Sequence, residues 1–221
     1  WVEWVAGPQR GPAANRNNGA RFAQGAWLVF IDDDCVPDTE WLEAYAAAVN
    51  EYPDCQVFEG RTYVDRPRRS FVEKSPTNET GGYLWSCNFA IKQTLFESLE
   101  GFDERFPYAA MEDVELRTRL RKIGQNFIFI HNAAVCHPWQ IRDTWKYLEQ
   151  AKVSTLLYLS VHPSEKAKLN WRYFVRRMVN IIYRKLIPSI LKFKVKDIKG
   201  IVLEIIHALQ MSFLLIRQSF G

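Results

Sequence analysis

Closely spaced cysteines are absent from this sequence of 221 residues, since its four cysteines lie far apart and form no C-x-x-C pair. They are typical of reduced, mostly buried thiols in a cytosolic protein, although an even count leaves disulfides open. The chain also lacks an uninterrupted apolar run of membrane-spanning length. Its most apolar stretch, Ile201–Ile216, contains Glu204, His207 and Gln210. As a helix it reaches about 24 Å, short of a hydrocarbon core of roughly 30 Å, so we expect an interfacial or re-entrant helix instead of one that spans the membrane.

Acidic residues are scarce at one end of the chain. Residues 1–164 carry 17 basic and 22 acidic side chains, a balance of −5, whereas residues 165–221 carry 12 basic and 3 acidic ones, a balance of +9. We therefore predict a globular body, 1–164, and a basic tail, 165–221, that meets an anionic surface. Apolar and basic residues separate onto two faces of a predicted helix from Trp171, which is typical of a helix lying on a membrane. Helices that pack on the body or on a second subunit are the alternative.

Three consecutive carboxylates are the most unusual feature that the sequence does contain. Asp32, Asp33 and Asp34 follow Leu28–Ile31, which reads as a short buried strand. Strand alternation would place Asp32 and Asp34 on one side and Asp33 on the other. Like charges at a strand end repel unless a cation offsets them, which predicts Mg²⁺ or Mn²⁺. Capping of the next helix by these acids is the alternative.

Two helix beginnings offer further candidate residues. Arg16 and Asn17 lie near the start of a predicted helix, Ala13–Ala26, where they could hold a phosphate or simply form a solvated polar face. Glu112 and Asp113 lie in the first turn of a later predicted helix, where the helix dipole alone would explain two acids.

Two polar residues also stand in apolar surroundings. Asn88, in the predicted strand Tyr83–Ile91 with Trp85, could bind a sugar hydroxyl or satisfy a neighbouring backbone group. His137 follows the last predicted strand and is either a core histidine or an imidazole available to a metal.

The hydrophobic pattern predicts an α/β fold. The strand at Leu28–Ile31, a helix opened by Pro37 and Asp38, and a strand at Val57–Val64 form a βαβ unit of a mostly parallel sheet. Residues 65–82 read as a long surface loop, and Ile123 as part of the core face of the helix after Met111.

Three stretches in order resemble the inverting glycosyltransferases of family 2: Gly11–Leu42, Gly82–Phe106 and Met111–Gly124. The resemblance covers about residues 7–140. It implies a GT-A fold with a Rossmann-like, mostly parallel sheet and flanking helices, followed here by C-terminal amphipathic helices. It also implies transfer of a sugar from a UDP-, GDP- or dTDP-sugar to a hydroxyl of a saccharide or lipid-linked acceptor, with Mn²⁺ or Mg²⁺. Together with the basic tail, this predicts an enzyme at the cytoplasmic face of a membrane, with no nucleic acid as partner.

The same resemblance assigns roles to individual residues. Asp113 would be the catalytic base. The remaining roles would be donor binding by Arg16, Asn17, Asp32, Asp33 and Asp34, metal binding by Asp34 and His137, and acceptor binding by Glu112, Asn88 and Trp85.

One part of the family pattern has no match in the sequence. Members normally begin with about two βα units that hold the nucleoside base, whereas Trp1–Val5 resembles the strand that follows them. We therefore expect the chain to be a piece of a longer protein. A nucleotidyltransferase and a non-catalytic membrane-binding fragment are the alternative functions.

Overall fold

The computed structural model describes residues 3–141, 143–193 and 197–220. The chain forms two compact units: 1–66 with 75–138, and 67–74 with 139–221. The predicted boundary at 164/165 differs from this division because the helix after residue 143 makes its contacts with the last helix of the chain.

The helices and strands follow the sequence pattern closely in the first unit. Within the described residues the α-helices are α1 (Pro12–Phe22), α2 (Trp41–Glu51), α3 (Gln93–Ser98), α4 (Glu112–Lys122), α5 (Thr144–Val161), α6 (Trp171–Ile181) and α7 (Ile198–Phe220). The strands of the same described ranges are β1 (Trp27–Ile31), β2 (Val36–Pro37), β3 (Val57–Tyr63), β4 (Glu73–Lys74), β5 (Asn88–Lys92), β6 (Ile128–Cys136) and β7 (Gln140–Ile141).

The first unit contains a five-stranded sheet in the order β1-β5-β3-β6-β2. Strands β1, β3 and β6 point the same way, as expected of a mostly parallel α/β sheet, but β5 lies antiparallel between β1 and β3. The predicted βαβ unit is therefore wrong in one respect, because its two strands are not neighbours. Local sequence could not reveal this, since the insertion of β5 depends on pairing between residues far apart in the chain.

Apolar clusters cover both faces of this sheet. Neighbouring residues of β3, Val57 and Phe58, point into different clusters, which is the alternation expected of a strand buried on both sides. Helices α1, α3 and α4 contribute to one cluster, and α2 to the other.

Several local predictions need correction. Helix α1 ends at Phe22, four residues before the predicted end at Ala26. Helix α2 begins at Trp41 and not near Pro37, because Val36–Pro37 pairs with β6 as strand β2. Residues 83–87 precede β5 as irregular chain with a turn at 86–87, instead of belonging to the strand. The segment 65–82 contains a short strand, β4. Ile123 is 54% exposed, because α4 ends at Lys122.

The second unit is mainly helical, with α7 packed on α5 and α6. Its helix α7 has 23 residues, longer than the predicted stretch. Among the described residues one helical segment, Ile198–Arg217, is long and apolar enough to cross a membrane, with a mean hydropathy of 1.6. In its most apolar window 44% is buried inside the protein, as in a helix that packs in a protein core. Length and composition therefore fit a membrane helix and a core helix equally.

Candidate active site

Arg16 joins the two acidic motifs of the first unit. Its guanidinium donates to Asp32 Oδ1 at 2.7 Å and to Glu112 Oε1 at 3.0 Å, although the two acids are 80 residues apart in sequence. The guanidinium also lies 5.8 Å from the ring centre of Phe102. Burial on its own lowers the pKa of Arg16, but attraction to the two carboxylates outweighs it and raises the pKa. The cation therefore stays charged and holds both motifs at one site.

The three aspartates leave β1 in a tight turn. The Cys35 backbone N–H donates to the Asp32 carbonyl at 3.1 Å, which reverses the chain directly after the strand. Asp32 and Asp34 are partly buried, and Asp33 is exposed. Because the aspartates lie in this turn and not in β1, which ends at Ile31, strand alternation does not determine the directions of their side chains.

Asp34 and His137 meet beside Cys35. Asp34 Oδ1 lies 3.4 Å from His137 Nε2, and one possible ligand atom from each of the three residues lies within 4.8 Å of the others. His137 Nδ1 is 3.0 Å from the Pro138 carbonyl, which can only accept, so in the neutral ring the proton is on Nδ1. The Nε2 lone pair then faces the carboxylate. This donor set of carboxylate, imidazole and thiol fits a divalent cation, and the Pro138 carbonyl orients the ring as in metal-binding histidines.

The second acidic motif opens α4. Met111, the residue before it, has a positive φ of 71°, a conformation that non-glycine residues seldom adopt and that is often found at functional sites. Glu112 is 3% exposed, and its Oε2 has no hydrogen-bond partner among the described residues. Burial and repulsion by Asp113 raise the pKa of Glu112 to about 7, although Arg16 opposes this.

Asp113 is partly buried beside Glu112. Burial raises the pKa of Asp113, while the backbone amides of Val114 and Ser86 and the charge of Arg16 act in the opposite direction. The Val114 amide donates to Asp113 Oδ1 at 2.7 Å. A carboxyl group with a raised pKa is a stronger base once ionised, which suits proton abstraction.

An aromatic pair precedes Ser86 in the chain. Tyr83 and Trp85 stack with ring centres 5.2 Å apart, and Tyr83 is 45% exposed. Arg117 of α4 donates to the Tyr83 carbonyl at 2.6 Å, which ties this segment to the helix that carries Asp113. The aromatic pair and the acidic pair therefore belong to one region of the first unit.

Two predicted site residues are structural. Asn88 is 1% exposed: its oxygen accepts from Trp41 Nε1 and the Tyr45 hydroxyl, and its amide donates to the Arg61 and Ala133 carbonyls. It satisfies neighbouring groups, as in the alternative stated above, and has no remaining capacity for a sugar.

Asn17 is likewise buried, at 6% exposure. Its amide donates to the Phe102 carbonyl and to Glu104, and its oxygen accepts from the Phe102 amide. It connects α1 to the loop that follows α3. Neither asparagine is retained as a ligand-binding residue below.

Sequence reasoning missed Cys35, Tyr83 and Glu59 as residues of this region. Cys35 directly follows the aspartates, so its position was visible, but nothing local showed that its thiol lies near His137. Glu59 is buried in β3 and accepts hydrogen bonds from the backbone amides of Gly82, Tyr83 and Leu84. An acid inside an apolar strand was the signal that could have drawn attention to it.

The fold and the two linked acidic motifs define a GT-A type glycosyltransferase domain. A family model described as Glycosyl transferase family 2 matches residues 2–112. The chain therefore belongs to glycosyl transferase family 2. The fold agrees, since the structure of S. aureus TarS 1-349 in complex with UDP-GlcNAc superposes with a TM-score of 0.50 at 14% identity, over 92% of this chain and 62% of that one.

The curated relatives that match this chain are longer proteins, and the match covers less than half of each. The glycosyltransferase AglE of Haloferax volcanii is 24% identical over 59% of this chain and 45% of its own length. The N-acetylglucosaminyl-diphospho-decaprenol L-rhamnosyltransferase of Mycobacterium tuberculosis is 31% identical over 43% of this chain and 33% of its own length. The chain thus spans from about a third to just under half of the curated relatives that it matches.

Proposed function

We propose that the protein transfers a sugar, with inversion, from a nucleotide-sugar donor to a hydroxyl group of a saccharide or lipid-linked acceptor. The observation that carries the proposal is the Arg16 bridge, which joins the aspartate turn to the acidic start of α4. The family membership favours glycosyl transfer over the nucleotidyltransferase alternative. The mycobacterial relative is named for a diphospho-decaprenol substrate, which supports a lipid-linked acceptor.

On the donor side, Asp34 and His137 would hold Mn²⁺ or Mg²⁺. A bound cation stabilises the negative charge of the departing nucleoside diphosphate. Asp32 and Asp33 lie in the same turn and would face the donor. Arg16 uses both terminal nitrogens on carboxylates, so we assign it a positioning role, orienting Asp32 and Glu112, and not the phosphate contact that the sequence suggested.

On the acceptor side, Asp113 would remove the proton of the attacking hydroxyl. The hydroxyl oxygen bonds to the anomeric carbon as the bond from that carbon to the diphosphate oxygen breaks, and the proton moves to Asp113. Attack from the face opposite the leaving group inverts the anomeric centre. Glu112 would contact the acceptor, and the stacked rings of Trp85 and Tyr83 would offer an apolar surface for a sugar ring.

The basic tail would bring the enzyme to the cytoplasmic face of an anionic membrane. Its net charge of +9 over residues 165–221 and the amphipathic α6 support this location. We propose that α7 also lies at the membrane interface, together with the helices on which it packs. Almost half of its most apolar window is already buried inside the protein.

Asp113→Asn tests the assignment of the base. We expect turnover to fall by about 10²–10⁴, the usual contribution of general base catalysis, with nucleotide binding unchanged. Product formation would be followed by NMR, which also reports the anomeric configuration. The matched control is Asp54→Asn, an exposed acid outside the site, which should keep normal turnover. Near-normal turnover of Asp113→Asn, or retention of configuration, would contradict the proposal.

A further inference from the structure

A basic groove runs along α6 in the second unit. It has a volume of about 450 Å³, within the range of small-molecule sites. Its polar and charged lining includes Arg176, Arg177, Asn180, Arg184 and Lys185. Helix α6 continues past Ile181 as a π-helical segment, Ile182–Leu186. Arg176 and Arg184 are eight residues apart along this continuous helix, a spacing expected for one helical face.

The positive charge of this groove is largely uncompensated. Glu204 is the one acid among its described lining residues, and it is already bound by Lys74 and Lys185. The structure shows no salt bridge for Arg176, Arg177 or Arg184 within the described ranges 3–141, 143–193 and 197–220. Three guanidinium groups thus line one open space, and their combined positive potential attracts an anion to it.

Exposed apolar side chains continue the same helical segment. Tyr183 is 67% exposed, Ile187 44%, Ile190 57% and Leu191 82%. A soluble anion would gain nothing from these residues, whereas a lipid offers a charged head and an apolar chain together. The combination favours an anionic lipid over a free ion.

We propose that this groove binds the phosphate head group of a membrane lipid, a phosphomonoester or a diphosphate. Guanidinium groups form paired hydrogen bonds with phosphate oxygens, and a head group with two negative charges matches several arginines better than a phosphodiester with one. The inference deepens the proposed membrane association, on which it rests, and it adds a specific head-group site to general attraction by the tail.

Vesicle binding with matched charge tests the proposal. The whole chain would be titrated with phosphatidylcholine vesicles containing either phosphatidic acid or phosphatidylglycerol, adjusted to equal surface charge. We expect at least five-fold tighter binding to phosphatidic acid. Arg184→Gln should remove this preference. Arg172→Gln, which removes the same charge from the same helix outside the groove, should keep it.

The outcomes separate the possible sources of binding. Equal binding to both vesicles, or equal effects of the two substitutions, would show diffuse electrostatic attraction and overturn the proposal. Binding of inorganic diphosphate without any vesicle binding would overturn the lipid source. Vesicle preference displaced by inorganic diphosphate, but not by sulfate at equal ionic strength, would support it. Metal-dependent nucleotide binding measured on the same samples reports separately on the glycosyl-transfer proposal.

Discussion

Arg16 is held in a costly environment, because a guanidinium and a carboxylate must both give up water to pair inside a protein. Its side chain is 16% exposed and that of Glu112 is 3% exposed. Such a pair adds little net stability compared with apolar residues, but breaking it leaves a buried charge alone. The arrangement is therefore better explained by its effect on the site, where one cation fixes the positions of Asp32 and Glu112.

Arg16→Gln should destabilise the protein more at high pH than at low pH. Losing the guanidinium raises the pKa of Glu112 further above its unfolded value. When folding raises the pKa of a carboxyl group, the free energy of unfolding decreases as the pH rises from the pKa of the unfolded chain to the pKa of the folded protein. We expect a loss of about 3 kcal/mol in the free energy of unfolding at pH 8 and a clearly smaller loss at pH 6.

Denaturant unfolding at the two pH values measures this effect. The control is Arg10→Gln, which removes an exposed ion pair with Glu104 and should cost less than about 0.5 kcal/mol at either pH. Equal losses for Arg16→Gln at both pH values would show that Glu112 does not carry the buried charge.

Residue identity alone could not distinguish ligand-binding amides from structural ones. Asn17 and Asn88 stand in the expected motifs, yet both use their amide groups on partners more than 40 residues away. The carboxylates were easier to interpret. Three acids in succession need a cation nearby, and a pair of acids at the start of a helix is stabilised by the helix dipole. Their meeting through Arg16 required the tertiary structure.

The segment between β4 and β5 shows how an element is positioned by one buried group. The Glu59 carboxylate, on β3, accepts hydrogen bonds from three successive backbone amides: Gly82 at 2.5 Å, Tyr83 at 3.1 Å and Leu84 at 3.0 Å. Leu84 has a positive φ of 49°, so the chain bends sharply at this carboxylate. The aromatic pair on either side of Leu84 is therefore positioned by a carboxylate of strand β3.

Glu59→Gln should loosen this segment. A carboxamide has one acceptor oxygen, so at least one backbone amide would face an NH₂ group and lose its partner, at a cost of about 1–3 kcal/mol. We expect a higher KM for the acceptor with a smaller change in the KM for the donor, measured by steady-state kinetics with each substrate varied.

Glu79→Gln is the matched control for this substitution. Glu79 is exposed and pairs with Arg61 at 2.7 Å, so removing its charge should alter neither constant. Unchanged acceptor KM in Glu59→Gln would contradict the proposed position of the acceptor beside Trp85.

At the scale of elements, periodicity predicted the main helices and strands of the first unit with ends displaced by up to five residues, but it missed the short strand β2. The order of the strands was less accessible, since β5 inserts antiparallel between β1 and β3. Strand β6 also extends past Ile130 through an irregular pairing with β3, which no local pattern in the sequence indicated. Both differences arise from long-range pairing, which leaves no local pattern.

At the scale of the whole molecule, the charge split and the family motifs reflect different parts of the chain. The motifs lie in the first unit, and most of the excess positive charge lies in the second. Family membership follows from the first unit alone. The proposed location at a membrane rests on the second unit, and the proposed donor and acceptor roles rest on the site geometry of the first unit.

The central claim is that donor binding and proton removal use separate carboxylates of one site. Calorimetry with UDP, GDP and dTDP, each with and without Mn²⁺, tests it on the protein and on two variants. We predict metal-dependent binding of at least one nucleotide, weakened at least ten-fold by Asp34→Asn and changed less than two-fold by Asp113→Asn. Binding that does not depend on Mn²⁺, or equal losses in both variants, would contradict the account.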